Sequence, residues 1–388
     1  MTQITVLSVF GTRPEAIKMA PVVRELASRP EIRSRVCVTA QHRGLLDDVL
    51  RLFQITPDYD LNVMRARQSP TGVAAAVLGE LEAVLKVENP DWVLVHGDTT
   101  TAAAAAIAAF YGGARIGHVE AGLRSHVPRE PFPEEVNRRL VAVTADLHFA
   151  PTERARENLL AEGHAEVNVL VTGNSVIDAL RCVADMPFDP ATGPLASIPA
   201  DRRIILLTAH RRENFGAPLD AICDAVLQLS RRYADDCQIV FPMHPNPLVR
   251  EAANRWLADV PNITLLEPVG YRELVYLLER ATIVLTDSGG IQEEAPGLGK
   301  PVLVLRDVTE RPEGVLAGTV KVVGTRSSEV FLQSATLLDD PVAYAAMSNA
   351  SNPYGDGHAA PRMADALLAR SVDLHSVLPA DSPSWLAR

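Results

Sequence analysis

The stretch Ala281-Thr282-Ile283-Val284-Leu285-Thr286-Asp287-Ser288-Gly289-Gly290-Ile291-Gln292-Glu293-Glu294 decides how this chain is read. Its first six residues form an apolar run that predicts a buried strand, and a helix opens directly after the paired glycines. Such a junction presents bare backbone N–H groups where the helix dipole favours negative charge. Two adjacent glycines leave no Cβ in the way of an approaching anion. Glu294 falls in the early turns of the helix, where a carboxylate can accept from sugar hydroxyls. It is not placed to hold phosphates, because like charges repel. A plain Gly-rich strand–helix turn would look the same in isolation, so the rest of the chain has to decide.

Working outward, short apolar runs alternate with helical patterns along the whole chain. Ile4–Phe10, residues 34–39, Trp92–His96 and Leu147–Ala150 read as strands, with helices starting near Pro14, Arg43, Pro70, Thr99, Glu134 and Thr152. Alternation of this kind predicts βαβ units and a parallel sheet. It breaks at residues 185–194, where Pro, Gly and Asp accumulate, and restarts with strands at Arg203–Thr208, 238–242, Ile263–Leu266, 283–286 and 302–305. The expectation is an α/β protein of two doubly wound Rossmann-like domains facing across a cleft. Residues 1–184 form the first domain and 195–360 the second, a helix over 361–379 packs back on the first, and 380–388 is a tail. In such sheets ligands bind beyond the carboxyl ends of the strands.

The 388 residues are long enough for two such cores, with 47% hydrophobic and 22% charged residues. A net charge of −11 argues against nucleic acid or an anionic membrane as partner. Any phosphate must then be held by local cations and helix N-termini. Cys37, Cys182, Cys223 and Cys237 are far apart, form no C-x-x-C, and indicate neither a disulfide framework nor zinc. The start of the chain lacks a basic segment and runs straight into a strand, and no apolar run approaches the ~20 residues of a membrane span. A cytoplasmic protein is expected.

Chemistry-bearing residues gather at the predicted strand ends. The first strand ends in Gly11-Thr12-Arg13-Pro14-Glu15-Ala16-Ile17-Lys18, where Arg13 and Lys18 supply donors to phosphate or carboxylate. This is neither G-x-G-x-x-G nor a P-loop, so nicotinamide and ATP chemistry are disfavoured. Asp98 follows the strand Trp92–His96, Glu120 lies in His118-Val119-Glu120-Ala121-Gly122-Leu123-Arg124, and Glu134 and Glu135 open a helix after Pro131-Phe132-Pro133. Any one of these acids could be a helix cap. Several carboxylates near one sheet edge exceed what capping needs, and acids held close raise one another's pKa into a range useful for proton transfer. In the second half, Thr208-Ala209-His210-Arg211-Arg212 and Pro242-Met243-His244 place histidines in cationic strand-end loops, an anion-binding pattern. Arg311 follows a further strand. No H-x-x-x-H or H-x-H spacing supports a metal site.

Taken in order, Val9-Phe10-Gly11-Thr12-Arg13-Pro14-Glu15, His96-Gly97-Asp98-Thr99, His118–Arg124, His210-Arg211-Arg212-Glu213, Ser288–Glu294 and Glu310-Arg311-Pro312-Glu313 resemble the non-hydrolysing UDP-N-acetylglucosamine 2-epimerases. The likeness runs from about Ile4 to Leu368. It implies a glycosyltransferase-B type fold, a homodimer and no cofactor or metal. It also implies reversible conversion of UDP-GlcNAc to UDP-ManNAc, by anti elimination of UDP to 2-acetamidoglucal and readdition, supplying ManNAc units for cell-surface polysaccharide.

Carried over by position, the resemblance makes Asp98, Glu120 and Glu134 the acid/base set, with Asp98 or Glu134 removing the C2 proton. His210 joins the catalytic set and, with Arg13, Ser288, Gly289, Gly290 and Arg311, holds the diphosphate. Lys18 supports the site and Glu294 takes the ribose hydroxyls. Leu274 stands where relatives place an aromatic ring on uracil. A second, allosteric UDP-GlcNAc would meet Gln41, Arg67, Glu135, Arg211 and His244, with Gly44 where the family commonly carries Gln or Glu. The competing enzyme readings are a hydrolysing UDP-GlcNAc 2-epimerase and a glycosyltransferase of the same fold. A non-catalytic nucleotide-sugar regulator is disfavoured by the intact carboxylates.

Overall fold

The computed structural model describes residues 3–39, 43–64 and 68–377. They form two compact units, one comprising the described residues up to 179 together with 357–377 and the other residues 180–356.

The first unit runs β1 (Ile4–Phe10), α1 (Arg13–Ser28), β2 (Ile32–Val38), α2 (Arg43–Leu52), β3 (Tyr59–Asp60), α3 (Pro70–Glu88), β4 (Trp92–His96), α4 (Thr100–Tyr111), β5 (Arg115–Val119), α5 (Glu134–Thr144), β6 (Leu147–Ala150), α6 (Glu153–Ala161) and β7 (Val169–Val171). Helix α7 (Ser175–Ala184) carries the chain out of it. All seven strands are parallel, in the order β3-β2-β1-β4-β5-β6-β7. Strands covered on both faces read as unbroken apolar runs, which is why β1 and β4 are so legible; all five residues of β4 are buried. Helix α1 starts where it does because Thr12 and Glu15 form a reciprocal capping box. The Ala run of α4 lies between α3 and α5, its small side chains permitting close packing.

The second unit runs β8 (Arg203–Thr208), α8 (Ala217–Arg232), β9 (Cys237–Pro242), α9 (Pro247–Leu257), β10 (Ile263–Leu266), α10 (Tyr271–Arg280), β11 (Ala281–Thr286), α11 (Gly289–Gly297), β12 (Val302–Val304), α12 (Pro312–Ala317), β13 (Val320–Val322), α13 (Ser327–Asp339) and α14 (Pro341–Ser348). Its six strands are again parallel, ordered β10-β9-β8-β11-β12-β13. The last helix, α15 (Ala359–Val377), returns to the first unit. There Asp178 caps it by accepting from the N–H groups of Ala359 (3.2 Å) and Ala360 (2.9 Å), and Trp92 Nε1 donates to Ser371 Oγ at 3.0 Å. Two doubly wound parallel sheets give the glycosyltransferase-B type expected from the sequence.

Three short strands, β3, β7 and β13, were not expected; two or three residues at a sheet edge carry too little periodicity to register. Helix α15 begins two residues before the expected span of 361–379. Each sheet reverses its strand order once, between β1 and β4 in the first unit and between β8 and β11 in the second. Loops on either side of such a reversal diverge and leave a crevice at the carboxyl ends of the strands.

Candidate active site

At the β1/β4 reversal the loop after β1 carries Gly11, Thr12 and Arg13, and the loop after β4 carries Gly97, Asp98 and Thr99. Buried Glu15 ties the two together. Its Oε2 accepts from the N–H groups of Gly11 (3.0 Å) and Thr12 (2.7 Å), and its Oε1 accepts from Thr99 Oγ1 at 2.6 Å. Burial pushes the Glu15 carboxyl up, with these hydrogen bonds pulling the other way. Gly11 has to be glycine, because a Cβ there would lie 1.9 Å from Thr39 Oγ1. Arg13 is half-buried at the start of α1 and has no ion-pair partner among the described residues.

Three sequence-predicted carboxylates meet beside this crevice. Asp98 pairs with Arg138 of α5, and Asn137 Nδ2 donates to the Asp98 carbonyl at 3.0 Å. Burial raises the Asp98 carboxyl above the ordinary aspartate range; Arg138 opposes this, while Glu120 and Glu134 reinforce it. Glu120 follows β5 in the left-handed region, φ 61°, a strained conformation for a residue with a side chain. It pairs with Lys18 and accepts from Asn174 Nδ2 at 3.0 Å, both on Oε1. His96 Nε2 lies 3.6 Å from its Oε2, beyond hydrogen-bond reach. Burial takes the His96 imidazole down to about 4, so it is neutral at physiological pH. Glu134 occupies the first turn of α5, where the helix dipole favours an acid.

The second unit assembles a different chemistry at the β8/β11 reversal. Asp287, fully buried, accepts from the backbone N–H groups of His210 and Arg211 and from Asn214 Nδ2, all within 2.9–3.0 Å. Asn214 also donates to Leu305 O at 3.0 Å, fastening the third loop. Ser288 occupies the cap position of α11 without using its side chain to cap, so the first-turn N–H groups at Gly289 and Gly290 keep no intrahelical partner. Arg211 approaches this terminus: a Cβ built on Gly289 would lie 3.6 Å from Arg211 Nη2. The buried Nε of Arg211 makes no hydrogen bond, and its guanidinium has no acidic partner among the described residues. His210 and His244 have ring centroids 5.7 Å apart. Burial lowers the His210 imidazole, with Asp287 opposing. An uncapped helix start, an uncommitted guanidinium and an imidazole together suit an anion of more than one charge.

Arg311 stands further round, its Nε on the buried carboxylate of Glu293. Glu294 is buried and accepts from Tyr271 Oη at 3.1 Å, so one of its oxygens is held by the protein. Leu274 lies half-buried on α10, three residues beyond Tyr271.

Of the residues expected to hold a second ligand, Gln41 and Arg67 lie outside the described residues. Gly44 is exposed on α2 with no atom of the described residues within 4 Å of a built Cβ. Glu135 is fully buried and accepts from the N–H groups of Ser125 (2.9 Å) and His126 (3.2 Å) and from Arg138 and Arg139. Burial alone would raise its carboxyl, but these partners hold it below the usual range. It therefore pins the loop before α5 in this structure. Arg211 and His244 sit beside Gly289 and His210, with the residues assigned to the substrate diphosphate. Sequence reasoning gave no role to Glu15, Arg138, Asn174, Asp287 or Tyr271. Each acts through a partner 23 to 84 residues away, a relation that spacing does not encode. Among the described residues, no group of three or more His, Cys, Asp or Glu could hold a metal ion.

Residues 24–368 match the family model described as UDP-N-acetylglucosamine 2-epimerase. The chain is 51% identical to the UDP-N-acetylglucosamine 2-epimerase of Escherichia coli K12 over 375 residues, 95% of this chain and 100% of that one. It is 50% identical to the Bacillus subtilis enzyme of the same name, covering 95% and 96%. The crystal structure of the Neisseria meningitidis UDP-GlcNAc 2-epimerase bound to UDP-GlcNAc superposes with a TM-score of 0.85 at 48% identity, covering 94% of this chain and all of that one. The chain belongs to the UDP-N-acetylglucosamine 2-epimerase family, and it is an enzyme of the non-hydrolysing type.

Proposed function

We propose that this protein interconverts UDP-GlcNAc and UDP-ManNAc by eliminating UDP and adding it back. A carboxylate removes the proton at C2, the C–H pair forms the C1=C2 bond of 2-acetamidoglucal, and the C1–O pair leaves with UDP. Return of a UDP oxygen to C1, with a proton delivered to the opposite face of C2, inverts that carbon. The observation that carries this reading is Asp98: a carboxylate at a strand-order reversal, three-quarters covered, raised by burial and faced by Glu120 and Glu134. A raised carboxyl matches the weak acidity of a sugar C2 proton better than an ordinary one. Asp98 or Glu134 then removes the proton, and Glu120, gripped by Lys18 and Asn174, shapes the site around them. In the second unit the open start of α11, Arg211 and His210 take the charge that builds on the departing diphosphate. Glu294, which Tyr271 holds by one oxygen, is the carboxylate that receives the ribose hydroxyls.

The test is to incubate UDP-GlcNAc alone in deuterated water and follow the anomeric and C2 protons by NMR. UDP-ManNAc should appear with solvent deuterium at C2. Product that keeps its C2 proton sinks the elimination, and free ManNAc in place of UDP-ManNAc overturns the readdition of UDP.

The protein acts as a homodimer through the first unit. Val136, Leu140 and Val143 recur at turn spacing along α5 and stay 42%, 44% and 79% exposed, and Phe132 in the turn just before the helix is 70% exposed. Phe110 (61%) and Tyr111 (80%) end the neighbouring helix α4, and Val87 (74%) ends α3 beside it. Side chains of this kind expose on the order of 800 Å² together, what one partner contributes to a standard-sized interface. A patch this large is rarely left to water.

A further inference from the structure

We propose that His118 is a positioning residue for the epimerisation, one that fixes Asp98 relative to Glu120 by gripping the peptide of Gly97. Gly97 is the residue before Asp98 and is held in the left-handed region, φ 61°. Both of its backbone polar groups are taken by one short piece of β5. Its N–H donates to Val119 O at 2.9 Å, and its carbonyl lies 2.8 Å from His118 Nε2. The residue after Val119 is Glu120. The loop that presents Asp98 is thus fastened, at the peptide before it, to the strand end that presents Glu120. A Cβ built on Gly97 would stand 3.4 Å from Glu120 Oε2, which shows how closely the two turns meet.

A carbonyl oxygen can only accept, so His118 Nε2 carries the proton and Nδ1 is left with its lone pair. That Nδ1 is buried and has no hydrogen-bond partner, and the ring is wholly inaccessible. Burial takes the imidazole down to about 3, so the donor is present and neutral at every pH at which the enzyme would work. His148 on β6, His96 on β4 and Arg124 face the ring, and each disfavours its protonation. A buried histidine whose one used atom holds the peptide next to a site carboxylate is more than filler.

Asp98 has a second anchor. Asn137 and Arg138 fix its carbonyl and carboxylate to α5, independently of His118. Freeing Gly97 therefore leaves Asp98 on α5 while its spacing from Glu120 relaxes and water gains access. The groups facing Asp98 are Arg138 and Glu134 from α5 and Glu120 from the turn after β5. Arg138 stays, whereas burial and Glu120, both of which raise the carboxyl, weaken. The Asp98 carboxyl then moves down.

This proposal rests on the epimerase reading above, and the experiment separates the two. His118→Gln places an amide N–H near the Nε2 position and can still donate to Gly97; His118→Asn, equally polar, is one methylene too short. The proposal expects kcat of His118→Asn to fall about 10- to 100-fold with KM within about threefold, since misplacement by ~1 Å can cost about 100-fold. The acid limb of its kcat/KM profile should move to lower pH. His118→Gln should keep kcat within about threefold and leave that limb in place. Equal rates for the two variants, or an unmoved limb in His118→Asn, overturn the clamp. Should His118→Asn fail to fold by circular dichroism, Gly97→Ala strains the same hinge from the other side. It is expected to lose turnover with the same limb shift, and an unshifted limb overturns the proposal there too. Wild-type protein that forms no UDP-ManNAc would instead condemn the reading of the reaction.

Discussion

Asp98 and Arg138 form an ion pair between the end of β4 and helix α5, yet the Asp98 carboxyl still sits above the ordinary aspartate range. Burial is the largest cause, and Glu120 and Glu134 add to it against the single guanidinium. Between the ordinary aspartate value and the raised one, the folded state binds more protons than the unfolded chain. Stability from this group is therefore present at low pH and lost as pH rises through that window.

Asp98→Asn should accordingly lower turnover by about 10²- to 10⁴-fold. It should leave UDP affinity unchanged and the melting temperature at neutral pH no lower than wild type. Kinetics, titration calorimetry with UDP and a thermal melt check the three parts. A variant that turns over normally but melts early would make Asp98 a structural cap.

Arg211 offers a guanidinium with no acidic partner to lose. Arg211→Ala is expected to weaken UDP about 10- to 100-fold, the worth of one or two charge-assisted hydrogen bonds. The apo protein should melt at the wild-type temperature. Calorimetry showing unchanged UDP affinity would remove Arg211 from the diphosphate site.

Gly289→Ala separates ligand approach from folding. The new Cβ would meet only Arg211 Nη2, at an ordinary contact of 3.6 Å, and alanine favours a helix over glycine by up to about 1 kcal/mol. The apo protein should be as stable as wild type or more so, while UDP binds at least about tenfold more weakly because the methyl covers the N–H groups. A crystal structure of the variant with UDP bound at wild-type affinity would place the phosphates elsewhere.

Gly44 is the position at which a proposed second, activating UDP-GlcNAc can be tested. Among the described residues nothing crowds its Cβ position, so Gly44→Gln should fold well and restore a polar group worth about 0.5–1.5 kcal/mol at an effector, up to about tenfold in activation. Starting from UDP-ManNAc, traces of UDP-GlcNAc should accelerate the wild type and accelerate the variant more. An initial rate already maximal without UDP-GlcNAc would leave no activator site to improve.

Leu140→Glu with Val143→Glu puts two charges on the exposed stripe of α5 and should yield monomers by analytical ultracentrifugation, with the circular dichroism of wild type. A dimer that survives both charges lies on another face.

The parallel α/β class and most strand positions were legible because buried strands are continuous apolar runs and helices announce themselves by caps: Thr12 with Glu15, Ser69, Thr99 and Thr152 all cap where a helix begins. Asp98, Glu120, Glu134, His210 and Ser288–Gly290 could be picked out for the same local reason, since each stands in the first residues after a strand or at the start of a helix. What surrounds them could not. Glu15 and Thr99 are 84 residues apart, Glu120 and Lys18 are 102, and His210 and Asp287 are 77.

The sequence by itself determined that two parallel sheets form and that acids and cations stand at their strand ends, because side-chain periodicity, capping and glycine placement are local properties of a few consecutive residues. Only the tertiary structure decided which of those groups share a crevice, that Glu135 is consumed by a loop, and that Arg211 turns to Gly289. Strand order sets these outcomes. The reversals at β1/β4 and β8/β11 bring distant loops side by side, and burial there, which no short stretch of sequence specifies, raises the carboxyl of Asp98.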